Sequence, residues 1–253
     1  MELETIRTQL SSLRLLTAAK ELQDVLSKQK RAVTLGWVSA LLEREIDARR
    51  ESSLKSRLMA AKFPELRTWE GFDFSFNPDF DMEALAELKT LEFVKHNQII
   101  QFLGPPGTGK SHLATALGVL AVQQGPRVYW SSAKKHQRQI IEAKLRNNLD
   151  DLFRKILAAK LWIYDDFGVV TYSREVAEEV FDLLDRRKHS SALILTSNRD
   201  ISEWPSVFPD LVLANATIDR MFEQARAFVF NGHSYRVKGT IHTTEVDDEK
   251  LNS

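Results

Sequence analysis

Eight residues, Gly104-Pro-Pro-Gly-Thr-Gly-Lys-Ser111, carry the strongest chemical signal in the chain. They match the G-x-x-x-x-G-K-[ST] pattern of a phosphate-binding loop in full, with an apolar run before them and an Ala/Leu-rich run after. Gly104, Gly107 and Gly109 let the backbone wrap so closely that several N–H groups converge on one anion. Pro105, Pro106 and Thr108 complete the turn. The helix expected after it adds the positive end of its dipole. Lys110 is placed to reach the β- and γ-phosphates of a nucleoside triphosphate, and the Ser111 hydroxyl to bind Mg²⁺. His112 adjoins them as a further candidate contact.

Three weaker signals follow. Leu161-Trp-Ile-Tyr-Asp165-Asp166 is an apolar run ending in two carboxylates. At the C-terminal edge of a parallel sheet, Asp165 can hold Mg²⁺ and Asp166 can orient an attacking water. Leu195-Thr-Ser-Asn198 is a second apolar run with a polar end, where Asn198 can bond the γ-phosphate or the water; Thr196 and Ser197 equally well just end a strand. In Ala216-Thr-Ile-Asp-Arg220-Met, Arg220 reads either as an arginine finger reaching into a neighbouring subunit or as a surface pair with Asp219.

Basic residues gather in two places: Arg44, Arg49, Arg50, Lys55 and Arg57, then Lys134, Lys135, Arg138, Lys144 and Arg146. Both sets suit the phosphate backbone of duplex DNA, and both also suit an ordinary solvated helix face. The five tryptophans read as packing residues. The six histidines show no metal-ligand spacing.

The elements that must position these groups fall into two textures. Up to about residue 65 the pattern is helical: Leu3, Ile6, Leu10 and Leu13 share one face, and a long run from Val38 to Lys62 contains no Pro or Gly. Pro64 marks a boundary. Beyond it, a helix is expected at Met82–Phe93. Strands are then expected at Ile99–Gly104, Arg127–Ser131, Leu161–Asp165, Ala192–Ser197 and Ala227–Phe230. Helices are expected between them at Gly109–Gln124, Lys135–Arg146, Leu149–Lys160, Arg174–His189 and Asn215–Gln224. Such alternation implies a parallel sheet covered on both faces. The expected organisation is a helical domain over 1–67 for DNA or partner binding, an α/β domain over 68–240 with a five-stranded parallel sheet, and a tail over 241–253.

Composition narrows the class. The 253 residues are 43% hydrophobic and 28% charged, as in ordinary globular proteins. With no cysteine, disulfides and thiolate metal sites are excluded. No apolar run approaches the about 18 residues of a membrane span, and no secretory leader is apparent, so a cytoplasmic location is expected. Net charge is zero but unevenly spread: residues 1–67 hold 13 Lys/Arg against 9 Asp/Glu, and residues 161–253 hold 10 against 16.

With these motifs in order, the chain resembles the IstB-like ATPases of insertion sequences, in the AAA+ superfamily and close to the helicase loader DnaC. The resemblance rests on Phe72-Asp-Phe74, on the loop extended to Ala114, and on Tyr164-Asp-Asp-Phe-Gly168. It continues through Leu195–Asn198, Glu203-Trp204, Asp219-Arg220 and Ser234-Tyr-Arg236. It implies ATP and Mg²⁺ as ligands, with Lys110 and Ser111 as Walker A, Asp165 as Walker B, Asn198 as sensor 1, Arg220 as arginine finger and Arg236 as a second basic sensor. It further implies a homo-oligomer, joined head to tail on duplex DNA, that assists a partner transposase in target selection and integration. Helicase loading, or a DNA-coating scaffold with little turnover, is the alternative. Many AAA+ chains carry Asp-Glu where this one has Asp165-Asp166, so slow hydrolysis is expected. Only 17 residues follow Arg236, too few for the usual helical lid.

Overall fold

The computed structural model describes residues 2–28, 35–76, 80–188, 190–231 and 235. Arg236, His189 and the tail 241–253 lie outside the described residues. The chain divides into two compact units, Met1–Arg57 and Leu58–Ser253.

The first unit is helical. Helices α1 (Glu2–Ser12), α2 (Leu16–Ser27) and α3 (Gly36–Ala61) supply its elements. Ile6, Leu10 and Ala19 form a small buried cluster, with Leu22, Leu35, Val38 and Leu42 packed around it. Gln9 donates its side-chain amide to the Ser39 carbonyl, and Arg49 donates to the Leu13 carbonyl, fastening α1 and its following turn to α3.

The second unit takes in the last turn of α3 from Leu58, and its next α-helices are α4 (Met82–Leu88) and the single turn α5 (Glu92–Lys95). One helix was expected over Met82–Phe93. The run is broken at Leu91, which adopts φ 58, a conformation no helix interior accommodates. Strand β1 (Ile99–Leu103), α6 (Lys110–Gln124), β2 (Val128–Ser132), α7 (Ala133–Leu145), α8 (Leu149–Leu157) and β3 (Leu161–Phe167) come next. The unit then runs through α9 (Arg174–Arg187), β4 (Ala192–Ser197), α10 (Leu211–Phe222) and β5 (Ala225–Val229).

All strand pairs are parallel, in the order β2-β3-β4-β1-β5. Strand side chains alternate between two faces. Tyr129, Trp162, Tyr164, Leu193 and Leu195 join the core beneath α7 to α10. Ile163 faces the other way, toward α6. There Gly118 lies so close that a Cβ would stand 2.6 Å from Ile163 Cδ1. A glycine inside a helix costs about 1 kcal/mol against alanine, and this close approach is why it is kept.

Short polar caps set the helix starts. Ser132 accepts from the Lys135 N–H, Ser173 from Val176 and Asp210 from Leu213. The Asp210 cap explains why α10 begins at Leu211, earlier than the apolar pattern at Asn215 implied. Four of the tryptophans pack, with Trp162 and Trp204 fully buried; Trp37, expected to pack, is 66% exposed. With β1, β3 and β4 adjacent, their carboxyl ends lie together, where open parallel sheets hold ligands.

Candidate nucleotide-binding site

The loop leaves β1 at Leu103 and enters α6 at Lys110. Gly104, Gly107 and Gly109 all adopt positive φ (136, 83 and 97). At Gly104 the need is steric as well: a Cβ would meet the Phe230 carbonyl oxygen at 2.2 Å. At Gly109 a Cβ would strike the Phe72 ring at 2.5 Å. Thr108 Oγ1 donates to the Pro105 carbonyl (2.9 Å), and Lys110 Nζ reaches the same oxygen at 2.6 Å. The loop is thus folded around its own lysine, with the N-terminal end of a 15-residue helix behind it.

The cleft above the loop has a volume of about 800 Å³. Its lining brings together Pro106 to His112 with Asp165, Asp166 and Asn198, while Gly104 and Pro105 of the same loop are not among the lining residues. It also includes residues to which the sequence assigned no role: Pro64, Arg67, Gly71 and Phe72 from the segment before α4, and Tyr235. That segment is fastened to the loop helix: His112 Nε2 lies 3.0 Å from the Thr68 carbonyl, and Phe72 stacks edge-on to His112. Tyr235 donates its backbone N–H to the Gly107 carbonyl, 2.9 Å away. The sequence signals for these contacts, Phe72-Asp-Phe74 and Ser234-Tyr-Arg236, carried the resemblance without revealing a location.

Asp165 is 5% exposed. Burial pushes its carboxyl above the ordinary value, while hydrogen bonds from Thr196 and Ser111 and the nearby Lys110 charge act against the rise. A buried carboxylate that shares a bond with the Ser111 hydroxyl is a hard-oxygen pair, the donor type Mg²⁺ takes. Among the described residues no cluster of three or more His, Cys, Asp or Glu could cage a metal alone. The pair therefore fits an ion completed by phosphate oxygens and water. Asp166 follows with φ 56, the left-handed region in which Asp is one of the better-tolerated side chains.

The candidates on α7 and α10 are not among the residues lining this cleft. Arg220, in the last turn of α10, does not line it. Arg220 donates Nε to Asp185 of α9 at 2.7 Å and also lies near Asp219 and Glu223. On α3, Arg49 pairs with Glu45, Arg50 with Asp47, and Arg57 donates to Ser53; Arg44 and Lys55 are exposed. On α7, Lys144 bonds Glu179 and Lys135 stands over the Trp130 ring, with Lys134, Arg138 and Arg146 exposed.

Together the parallel sheet, the glycine loop and the paired Ser111–Asp165 oxygens define a P-loop nucleotide-binding protein. The sequence model of the IstB-like ATP binding protein family matches residues 6–243, and the chain belongs to that family. A Pseudomonas aeruginosa protein named for insertion sequence IS21 and for ATP binding is 36% identical over 217 residues, which are 83% of this chain and 82% of that protein. Among solved structures, AMPPCP-bound DnaA from Aquifex aeolicus superposes with a TM-score of 0.54 at 21% identity, over 67% of this chain and 51% of that one. The DnaC helicase loader does so with a TM-score of 0.50 at 21% identity, over 64% and 97%. These two likenesses concern the fold. No described helix is long and apolar enough to cross a membrane.

Proposed function

We propose that the chain is an ATPase of an insertion sequence, whose copies join head to tail on duplex DNA, each completing its neighbour's site, and which assists a partner transposase. One observation carries the reading. Lys110, Ser111, Asp165, Asp166 and Asn198 share one cleft, whereas Arg220 is held outside it on α10. An arginine that serves the transferred phosphate from there must serve a second copy's site.

Within one subunit the loop N–H groups and Lys110 bind the phosphates, and the segment around Phe72 encloses the nucleotide. Asp166 and Asn198 stand where they can orient water against the γ-phosphate. Mg²⁺, held by Ser111 and Asp165, would neutralise charge on the β- and γ-phosphate oxygens. Asp166 is one methylene shorter than glutamate, so its grip on water is looser and turnover slower. ATP favours assembly because the γ-phosphate contact with Arg220 exists only between subunits, and hydrolysis removes it. The exposed arginines and lysines of α3 and α7 supply phosphate-backbone contacts.

Phosphate release with and without duplex DNA, beside electron microscopy of the same samples, tests the proposal. DNA-stimulated release with ordered multimers supports it. Filaments with negligible release point to a scaffold that keeps its ATP. No effect of DNA on either readout overturns the DNA-dependent reading, and a pull-down of helicase in place of transposase overturns the partner.

A further inference from the structure

Strands β3 and β4 fall out of register at the site. Tyr164 pairs with Leu195 and Phe167 with Ser197, so two residues, Asp165 and Asp166, stand opposite one, Thr196. Such a bulge leaves ladder groups without backbone partners and re-aims the side chains it carries. Here the missing partner is a side chain. The Thr196 hydroxyl accepts from the Asp166 N–H at 2.9 Å and donates to Asp165 Oδ1 at 2.6 Å. Thr196 is fully buried.

We infer that Thr196 is the positioning residue of the site, setting the Mg²⁺-binding carboxylate of Asp165 and the backbone of Asp166 through one hydroxyl. This rests on the reading of Asp165 as a Mg²⁺ ligand. A hydroxyl has one proton to donate. With the Asp166 N–H pointing at its oxygen, that proton is left for Asp165, so the carboxylate is held with one oxygen committed. Threonine on a strand is stiff at χ1, which fixes the hydroxyl against both partners at once. The same bond supports the left-handed turn at Asp166, so both acidic side chains depend on a residue of the neighbouring strand. Ser197 reinforces the arrangement by donating its hydroxyl to the Phe167 carbonyl, 2.9 Å away, just past the bulge.

The test compares wild type with Thr196→Val, which keeps the shape and deletes the hydroxyl, and Thr196→Ser, which keeps the hydroxyl. The first readout is binding of a fluorescent ATP analogue titrated with Mg²⁺, and the second is phosphate release. Loss of an outer-shell partner of a metal ligand costs roughly 10–100-fold in metal affinity or activity. Thr196→Val is expected to raise the half-saturating Mg²⁺ concentration by that factor while Mg²⁺-free nucleotide binding stays at the wild-type level. Thr196→Ser is expected to restore most of the Mg²⁺ response. Thr196→Ala repeats the measurement independently of how valine packs. Wild-type Mg²⁺ dependence in the Val and Ala variants overturns the inference, as does a Ser variant as defective as Val. Parallel loss of Mg²⁺-free binding would show a collapsed cleft and overturn it too. A wild type that releases no phosphate counts against the ATPase proposal alone, because the Mg²⁺ titration reads binding.

Discussion

The two compact units of this chain are stabilised very differently. In Leu58–Ser253, one continuous core joins the sheet to α7–α10, with Trp162, Tyr164, Phe167 and Trp204 all fully buried. In Met1–Arg57, the buried cluster is three residues, and Leu16, Val25, Trp37 and Leu41 are exposed. Phosphate chemistry needs groups fixed to fractions of an ångström, and only a dense core holds them so. A thinly cored helical unit with charged and apolar side chains outside suits the DNA-contacting role proposed for its basic residues. The sharp division of labour predicts that damage in each unit has its own readout.

The largest effect is expected at Gly104. A Cβ there combines a positive-φ strain with a 2.2 Å collision, together costing about 4 kcal/mol. Gly104→Ala should therefore lower the melting temperature and abolish ATP binding together. Lys110→Ala should separate the two: loss of a charge-assisted contact is worth about 3 kcal/mol, roughly 100-fold in ATP affinity by titration calorimetry, with melting little changed. In the other unit, Ile6→Ala empties the small cluster at a cost of about 2.5 kcal/mol. Hydrogen exchange should show α1–α3 opening while ATP affinity stays as in wild type; loss of both would break the division of labour.

A smaller effect concerns pH. His136 lies buried against the Trp162 and Tyr164 rings, and burial pushes it down to about 3. The unfolded histidine, near 6.5, takes up a proton over a range where the folded one stays neutral. Stability is therefore complete above about pH 6.5 and falls as pH drops toward 3, by about 2 kcal/mol between pH 7 and pH 5. His136→Phe should flatten that acid slope in a pH series of denaturation midpoints. Smallest of all, Trp37→Ala should change stability by no more than about 0.5 kcal/mol, because the ring packs against little.

Local signals made much of this legible beforehand. The loop, its flanking strand and helix, and the five strands follow from spacing and apolar runs, and the structure places each within a few residues of expectation. What escaped depends on distant partners. Nothing near Leu91 announces a left-handed residue. The bulge at Asp165–Asp166 depends on the register of β3 against β4. Thr196 looked like a strand end because its two bonds reach residues some thirty positions earlier. The closure of the cleft by the Phe72 segment and Tyr235 is long-range packing, which periodicity does not encode. Arg220 illustrates the opposite case: its motif was visible, but its ion pair with Asp185 could only come from the packing of α9 against α10.

The central claim, that one copy's cleft is completed by another copy's Arg220, is tested most directly by mixing two inactive variants. Asp166→Asn retains Arg220 but cannot orient water, and Arg220→Ala retains Asp166 but supplies no finger. Each alone should bind ATP and release almost no phosphate in the presence of duplex DNA. Mixed in equal amounts, head-to-tail pairing should rebuild roughly a quarter of the interfaces with both groups intact, and phosphate release should return to about that fraction of wild type. A mixture as inactive as its components, or an Arg220→Ala protein as active as wild type, would contradict the account.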